Sequence, residues 1–352
     1  MKSMHRHGQR GAATLTITLM LLVAMLLVML AANRNLLIEL RQSANQAEAT
    51  AAFEATEAGL EWATAMLNSS ERLGNDCRPS PLASQSFRER HLDTDLPEFS
   101  PRDLRPACVH GEDGWRCGCP DDAPADPLGA AAAAAGPAFA LRLSRGPRPG
   151  VLRLAATGCS RWSGDCRPDG SGGDSATARS EVLLALQPAL PAPPSTALTV
   201  RPAGIEAEAF FVAHFGVSKA MWKRQRAVHA LDCRGDCAAA LAVLAAQGIT
   251  LVSAPGDLLL RGPLALGTPQ RPMLIVADGA IQLQGEVNLH GVLYGASLGW
   301  AAPAATVRGA LVSEGTAAGD ASLDAAHDAA VLEALRTRQG SFVRLPGSWR
   351  DF

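Results

Sequence analysis

The chain opens with an unbroken apolar stretch. From Gly11 to Asn33 there is no charged residue, and Leu15–Ala32 is apolar apart from two threonines, whose hydroxyls bond back to helix carbonyls. Beyond it the pattern becomes amphipathic. Leu40, Ala44, Ala47, Ala51, Ala55, Ala58, Trp62 and Met66 recur at three- and four-residue steps, and Phe53, Leu60 and Leu67 widen the stripe. Glu39, Glu48, Glu54, Glu57 and Glu61 take other positions. The spacing predicts one helix from about Ala12 to about Asn68, half in lipid and half packed against a soluble domain, with Leu40, Ala44, Ala51, Ala58 and Trp62 as positions that pack against other subunits.

Farther on, the period shortens. Residues 69–136 are irregular, with prolines, mixed charge and an alanine run. Strand-like segments then lie near Ala138–Leu143, Val151–Gly158 and Ala178–Leu186, split by GPRPG and by a Ser/Gly/Asp loop. A helix stripe needs such a sheet to cover it, because an isolated amphipathic helix is marginal in water. The proline-rich QPALPAPPST (187–196) reads as a linker. After it, helices are expected over Cys237–Gln247, capped by Asp236 and ended by Gly248, and over Asp324–Arg338. Between them run short strands: Leu258–Leu260, Met273–Ala277, Ala280–Leu283, Glu286–Leu289, Val292–Tyr294 and Val307–Val312. Gly279, Gly285 and Gly291 fall six apart, so DGAIQL, QGEVNL and HGVLYG resemble solenoid coils of about three rungs; a small sandwich is the competing reading.

At about 1.5 Å per residue, the first stretch covers a bilayer core, which takes roughly 20 apolar residues. Lys2, His5, Arg6, His7 and Arg10 precede it, so the positive-inside rule puts the N-terminus in the cytoplasm and the bulk in the periplasm. A secretory signal peptide is the alternative, but the apolar run exceeds the roughly 7–15 residues of such segments and no small-residue cleavage site ends it.

All eight cysteines lie beyond the anchor, an even number that reads as a disulfide framework in an oxidising compartment. Cys159 with Cys166 and Cys233 with Cys237 are close enough to pair locally. Cys77, Cys108, Cys117 and Cys119 pair among themselves in an order that spacing leaves open. A zinc site at Cys108, Cys117, Cys119 and His110 is the competing reading, poorly matched because structural zinc favours two CxxC-like claws.

QRGAATLTITLMLLVAMLLVML followed by AFEATEAGLEWA resembles the N-terminus of PilX-type type IV pilus assembly proteins: a basic leader ending in glycine, an apolar helix, then an acidic AxEAxEAGL-like stretch. PMLIVADG, GEVNLHGVLYGASLGW and the ending PGSWRDF resemble the later part of such proteins less specifically. The resemblance implies cleavage by prepilin peptidase between Gly11 and Ala12, methylation of the pilin kind, and partners among other minor pilins, pilus assembly components and a tip adhesin. It also implies a pilin-like plan of helix and antiparallel sheet. One position departs: the fifth residue after the cut is Thr16, where major pilins carry a glutamate that can neutralise a neighbour's amino terminus in a low-dielectric core.

The expected fold class is therefore α+β, with a leader at 1–11, a transmembrane helix at 12–33, a pilin-like helix and sheet at 34–187, a linker at 188–200 and a β-rich domain with solenoid-like strands at 201–352. Lys+Arg 32 against Asp+Glu 34 gives a net charge of -2, which supplies no field for nucleic acid. Aromatic content of 5% predicts shallow packing without a dense aromatic core. No P-loop, HExxH or dinucleotide motif occurs, and no catalytic residue, cofactor or metal is expected. His327-Asp328 reads as helix capping, and Trp349, Arg350 and Phe352 as a tail that docks on its own domain. The resulting expectation is a low-copy minor pilin-like subunit in the inner membrane, acting in a priming or tip complex. A membrane-anchored module that binds a surface ligand or envelope polymer is the alternative.

Overall fold

The computed structural model describes residues 10–93, 100–120, 128, 136–148, 150–162, 166, 175–233, 235–302 and 305–351, with side chains from Thr14 onward. Helix α1 runs over Arg10–Asn68 without a break. It is long because nothing in its sequence stops it: there is no proline, and its glycines Gly11 and Gly59 stand alone. The chain divides into two compact units, Met1–Ala51 and Ala52–Phe352.

In the first unit the large apolar side chains from Leu15 to Leu40 are exposed. The Thr18 hydroxyl donates to the carbonyls of Thr14 at 3.0 Å and Leu15 at 2.9 Å, so it leaves no unsatisfied donor on an apolar surface.

The second unit begins with the rest of α1 lying on an antiparallel sheet. The sheet's main path runs Gly340–Arg344, Thr177–Pro188, Val151–Cys159, Ala138–Arg145, Ala107–Gly111 and Gly114–Gly118, and Arg350–Asp351 also pairs with Thr177–Pro188. The helix face that meets it carries Ala52, Ala55, Thr56, Gly59, Leu60, Ala63, Thr64 and Leu67, all buried. This stripe is rotated from the expected one: Phe53 is exposed, and Ala58 and Trp62 lie on its flank. The reason is close approach. A Cβ on Gly158 would collide with the Ala52 carbonyl and with Thr56, and one on Gly59 would sit 2.9 Å from the Phe139 ring. Small residues face the sheet, and the larger ones wedge into its margins.

A short capped helix, α2 (Phe87–His91), packs Phe87 into the same core, and the Ser86 and Glu89 side chains form its capping box. Four disulfides join Cys77 to Cys119, Cys108 to Cys117, Cys159 to Cys166 and Cys233 to Cys237. The order that spacing left open follows from register, since Cys108 and Cys117 lie directly opposite in the hairpin 107–118. All three thiols of the zinc reading, Cys108, Cys117 and Cys119, are thus spent in disulfide bonds.

After α3 (Ala207–Phe215), α4 (Lys219–Lys223) and α5 (Ala238–Ala246), the chain coils into parallel ladders. Met273 pairs with Gly291, Gly291 with Gly309, and Gly309 with His327, three successive steps of 18 residues. The six-residue glycine spacing therefore marks the sides of one coil, and not successive coils: Ala280–Gln284 pairs with Ser297–Ala301, and Val287–Leu289 stacks on Leu264–Leu266. Gly291 and Gly309 have φ of +149° and +138°, and a Cβ on either would strike the carbonyl of the coil before it. Leu260, Leu266, Ile275, Leu283, Leu289, Leu293 and Leu311 fill the interior, and α5 packs against that same core.

The outer face of the ladder Leu251–Ala254, Met273–Ala277, Gly291–Gly295 and Gly309–Ser313 is covered by α3, α4 and α6 (Ala329–Thr337). Phe210, Phe211, Phe215 and Trp222 close around Tyr294, with Phe211 and Phe215 stacked at 4.0 Å. This corrects the expectation of shallow packing: the few aromatics are gathered into clusters, this knot and a second one of Trp62, Phe87, Trp115 and Phe139 under α1.

Three boundaries also differ from the sequence reading. Ala189 and Leu190 of the expected linker are buried in this knot and Leu198–Val200 pairs with Leu311–Ser313, because extended proline-rich chain can lie along a surface as well as bridge a gap. Asp324–His327 continues the coil ladder as a strand, so the helix begins at Ala329, where Asp328 accepts from Ala330 and Val331. Finally, residues 340–344 and 350–351 return to the helix-covered sheet, so the division at 188–200 does not separate two domains.

Candidate assembly helix

Gly11 and Ala12 lie in the first turn of α1, while the leader residues 1–9 fall outside the described residues. Of the expected packing positions, Leu40 and Ala44 are exposed and Ala51 is half-buried. Ala58 and Trp62 are committed to their own domain. The Trp62 ring meets Phe87 edge-on at 5.4 Å and Phe139 at 6.0 Å. The structure therefore does not bring the five residues together on one free face.

The opposite side of the helix is acidic and is met by the end of the chain. Glu57 accepts a hydrogen bond from the Trp349 indole at 3.1 Å, so the tail docks on its own domain. Glu61 pairs with Arg344 at 3.1 Å and with Arg226 at 3.5 Å. Glu54 is exposed, so Glu54 and Glu57 share no buried site of the kind a catalytic carboxylate pair needs.

Sequence reasoning missed two residues that fix the end of the helix. Asn68 donates to the Phe342 carbonyl at 3.0 Å and accepts from its N–H at 2.7 Å, tying the last helical residue to a strand 274 residues later. Arg88 donates to the Leu67 carbonyl at 2.9 and 2.7 Å and to the Gly340 carbonyl at 2.8 Å. A guanidinium here also meets the negative end of the helix dipole. Burial lowers Arg88 to about 10, with Glu89 acting in the opposite direction. Nearby His91 is fully buried, and burial, followed by the charges of Arg90 and Arg102, lowers it to about 3. An arginine far along the chain, aimed at a helix C-terminus, leaves no local spacing signal.

Against known families, residues 10–61 match the PilX N-terminal family model. This segment is PilX-type. The match covers the membrane-length apolar stretch and the acidic stretch up to Glu61, the stretches on which the resemblance rests. It supports a type IV pilus-related protein, and the long apolar helix, one such among the described residues, fits a single-pass membrane anchor. No curated protein and no solved structure matches the chain.

Proposed function

We propose that the protein is a minor pilin-like, low-copy subunit of type IV pilus assembly, acting in a priming or tip complex and without enzymatic activity. The observation that carries this reading is the PilX-type segment 10–61 within an unbroken helix, apolar and exposed over Leu15–Leu30 and closely packed on a sheet over Ala52–Leu67. The first stretch enters the inner membrane with its basic leader in the cytoplasm, and the disulfide-bonded region faces the periplasm. Prepilin peptidase cuts between Gly11 and Ala12. Thr16 offers no carboxylate to a neighbour's amino terminus, which disfavours repeated use along a filament and favours a few positions at its start. Other minor pilins, pilus assembly components and a tip adhesin are the partners.

Mass spectrometry of the purified protein tests the reading. The mature chain begins at Ala12, and Gly11→Leu leaves it uncut. A chain that begins at residue 1, or beyond Ala32, overturns the processing step. Deleting the protein reduces the number of surface pili more than it alters those that form. If pilus number is normal while adhesion to a surface or envelope polymer is lost, the anchored binding module replaces the assembly role.

A further inference from the structure

A cleft of about 310 Å³ lies within the second unit, where the end of α1, α2, the turn after α5 and the chain after α6 converge. Ala227 and Leu251 supply the only apolar side chains of its lining, so it suits a polar occupant. Four arginines, Arg88, Arg102, Arg271 and Arg338, line it together with the carboxylates of Glu89 and Asp93. Two of the arginines are already engaged. Arg88 donates to the carbonyls of Leu67 and Gly340, and Arg271 holds Glu89 and the Ser84 carbonyl. The other two are open to a ligand: Arg102 is exposed and Arg338 half-buried, and neither side chain makes a hydrogen bond or an ion pair among the described residues.

Four guanidiniums against two carboxylates leave the cleft positive. The same field reaches His91, where the charges of Arg90 and Arg102 add to the effect of burial. The carbonyl ends of α1 and α6 offset part of it, so the site fits one negative charge better than the two of phosphate. A guanidinium matches a carboxylate with two parallel hydrogen bonds. Neutral groups complete the lining: the side chains of Ser70, Gln85, Thr250 and Gln270 are half-buried or exposed and likewise without a hydrogen-bond partner among the described residues. Hydroxyl and carboxamide groups both donate and accept, as the hydroxyls of a sugar do. The volume lies at the small end for ligand sites, which suits a single sugar ring.

We propose that this cleft binds a hexuronate, a sugar acid with one carboxylate: the carboxylate on Arg102 and Arg338, and the ring hydroxyls on Gln85, Thr250 and Gln270. The inference goes beyond the assembly reading and stands without it. The test uses the full chain in detergent micelles, titrated by calorimetry at pH 7 with galacturonate, galactose, acetate and inorganic phosphate. Galacturonate binds saturably and about tenfold or more tighter than galactose, which lacks the carboxylate, and than acetate, which lacks the hydroxyls. Arg102→Gln and Arg338→Gln each weaken it by about tenfold or more and leave the melting temperature unchanged, because neither side chain holds another part of the fold. Trigalacturonate separates two sources of the same chemistry: tighter binding than the monomer assigns the end of an acidic polysaccharide, and equal or weaker binding assigns the free sugar acid. Absence of saturable binding overturns the proposal, as does galactose, acetate or phosphate binding as tightly as galacturonate. Indifference to either substitution, or a melting temperature lowered in both variants, overturns it as well.

Discussion

The helix-covered sheet and the coiled ladders solve the same packing problem with different connections. The sheet is built on pairs of consecutive strands but is closed by partners far apart in the chain: α1 ends on Phe342, and Thr177–Pro188 pairs with the C-terminal strands. In the coils, strands find their stacking partners 17 to 23 residues on, so the core propagates from neighbour to neighbour. Three of the four disulfides fall in the sheet region, one of them spanning 42 residues, whereas the coils carry one that spans four. Covalent closure is concentrated where ordering the chain loses the most entropy. Glycine serves both regions, at Gly158 under the helix and at Gly291 and Gly309 between coils, each time where two backbones come too close for a Cβ.

The largest expected effect sharpens this contrast. Gly291→Val adds a side chain against the Met273 carbonyl at a φ that valine does not tolerate, and should destabilise the coils by about 4 kcal/mol or more. Because coils stack in series, the loss should spread to the ladder as a whole, read as collapse of hydrogen-exchange protection at Leu274–Val276 and Leu311–Val312 together. Protection restricted to one coil would break the stacking picture.

Reduction should separate the two regions. Opening Cys77–Cys119 removes a 42-residue closure that contributes about 4 kcal/mol in the chain-entropy model, while Cys233–Cys237 contributes about 2 kcal/mol. Under dithiothreitol, proteolysis should therefore begin in residues 69–160 before it reaches the coils. Coils that are cut first would reverse the comparison.

A smaller effect comes from acid. His91 is held neutral down to about pH 3, whereas the unfolded imidazole takes up a proton near its ordinary value of 6.5. Between those limits the unfolded state binds more protons, so stability is complete above pH 6.5 and is lost as pH falls, at roughly 1.4 kcal/mol per pH unit at most. His91→Phe, which keeps a ring against Phe87, should flatten the pH dependence of urea midpoints measured between pH 7 and pH 4. A slope unchanged in that variant would assign acid lability elsewhere in the sheet.

What could be read from residues alone was whatever depends on near neighbours. The span of α1, the three strands after residue 137 and most of the coil strands follow from period and breakers over a few residues, and so do the two short disulfide loops. The PilX-type segment was legible for the same reason, being one contiguous helix. Partners were not. Which face of α1 is buried was decided by how closely the backbone approaches Gly158 and Phe139, and the hydrophobic stripe caught only part of that face, Ala55, Leu60 and Leu67, while Ala58 and Trp62 fell on its flank. Whether glycines six apart mark coils or the sides of one coil depends on an 18-residue register that only pairing reveals. Asn68 with Phe342, Arg88 with Leu67, and Arg102 and Arg338 in one cleft join positions many residues apart, where a side chain's role is fixed by the direction from which another segment arrives. Sequence determines what each segment can form; only the tertiary structure decides which buried polar group meets a partner, because that depends on distances the chain does not encode locally.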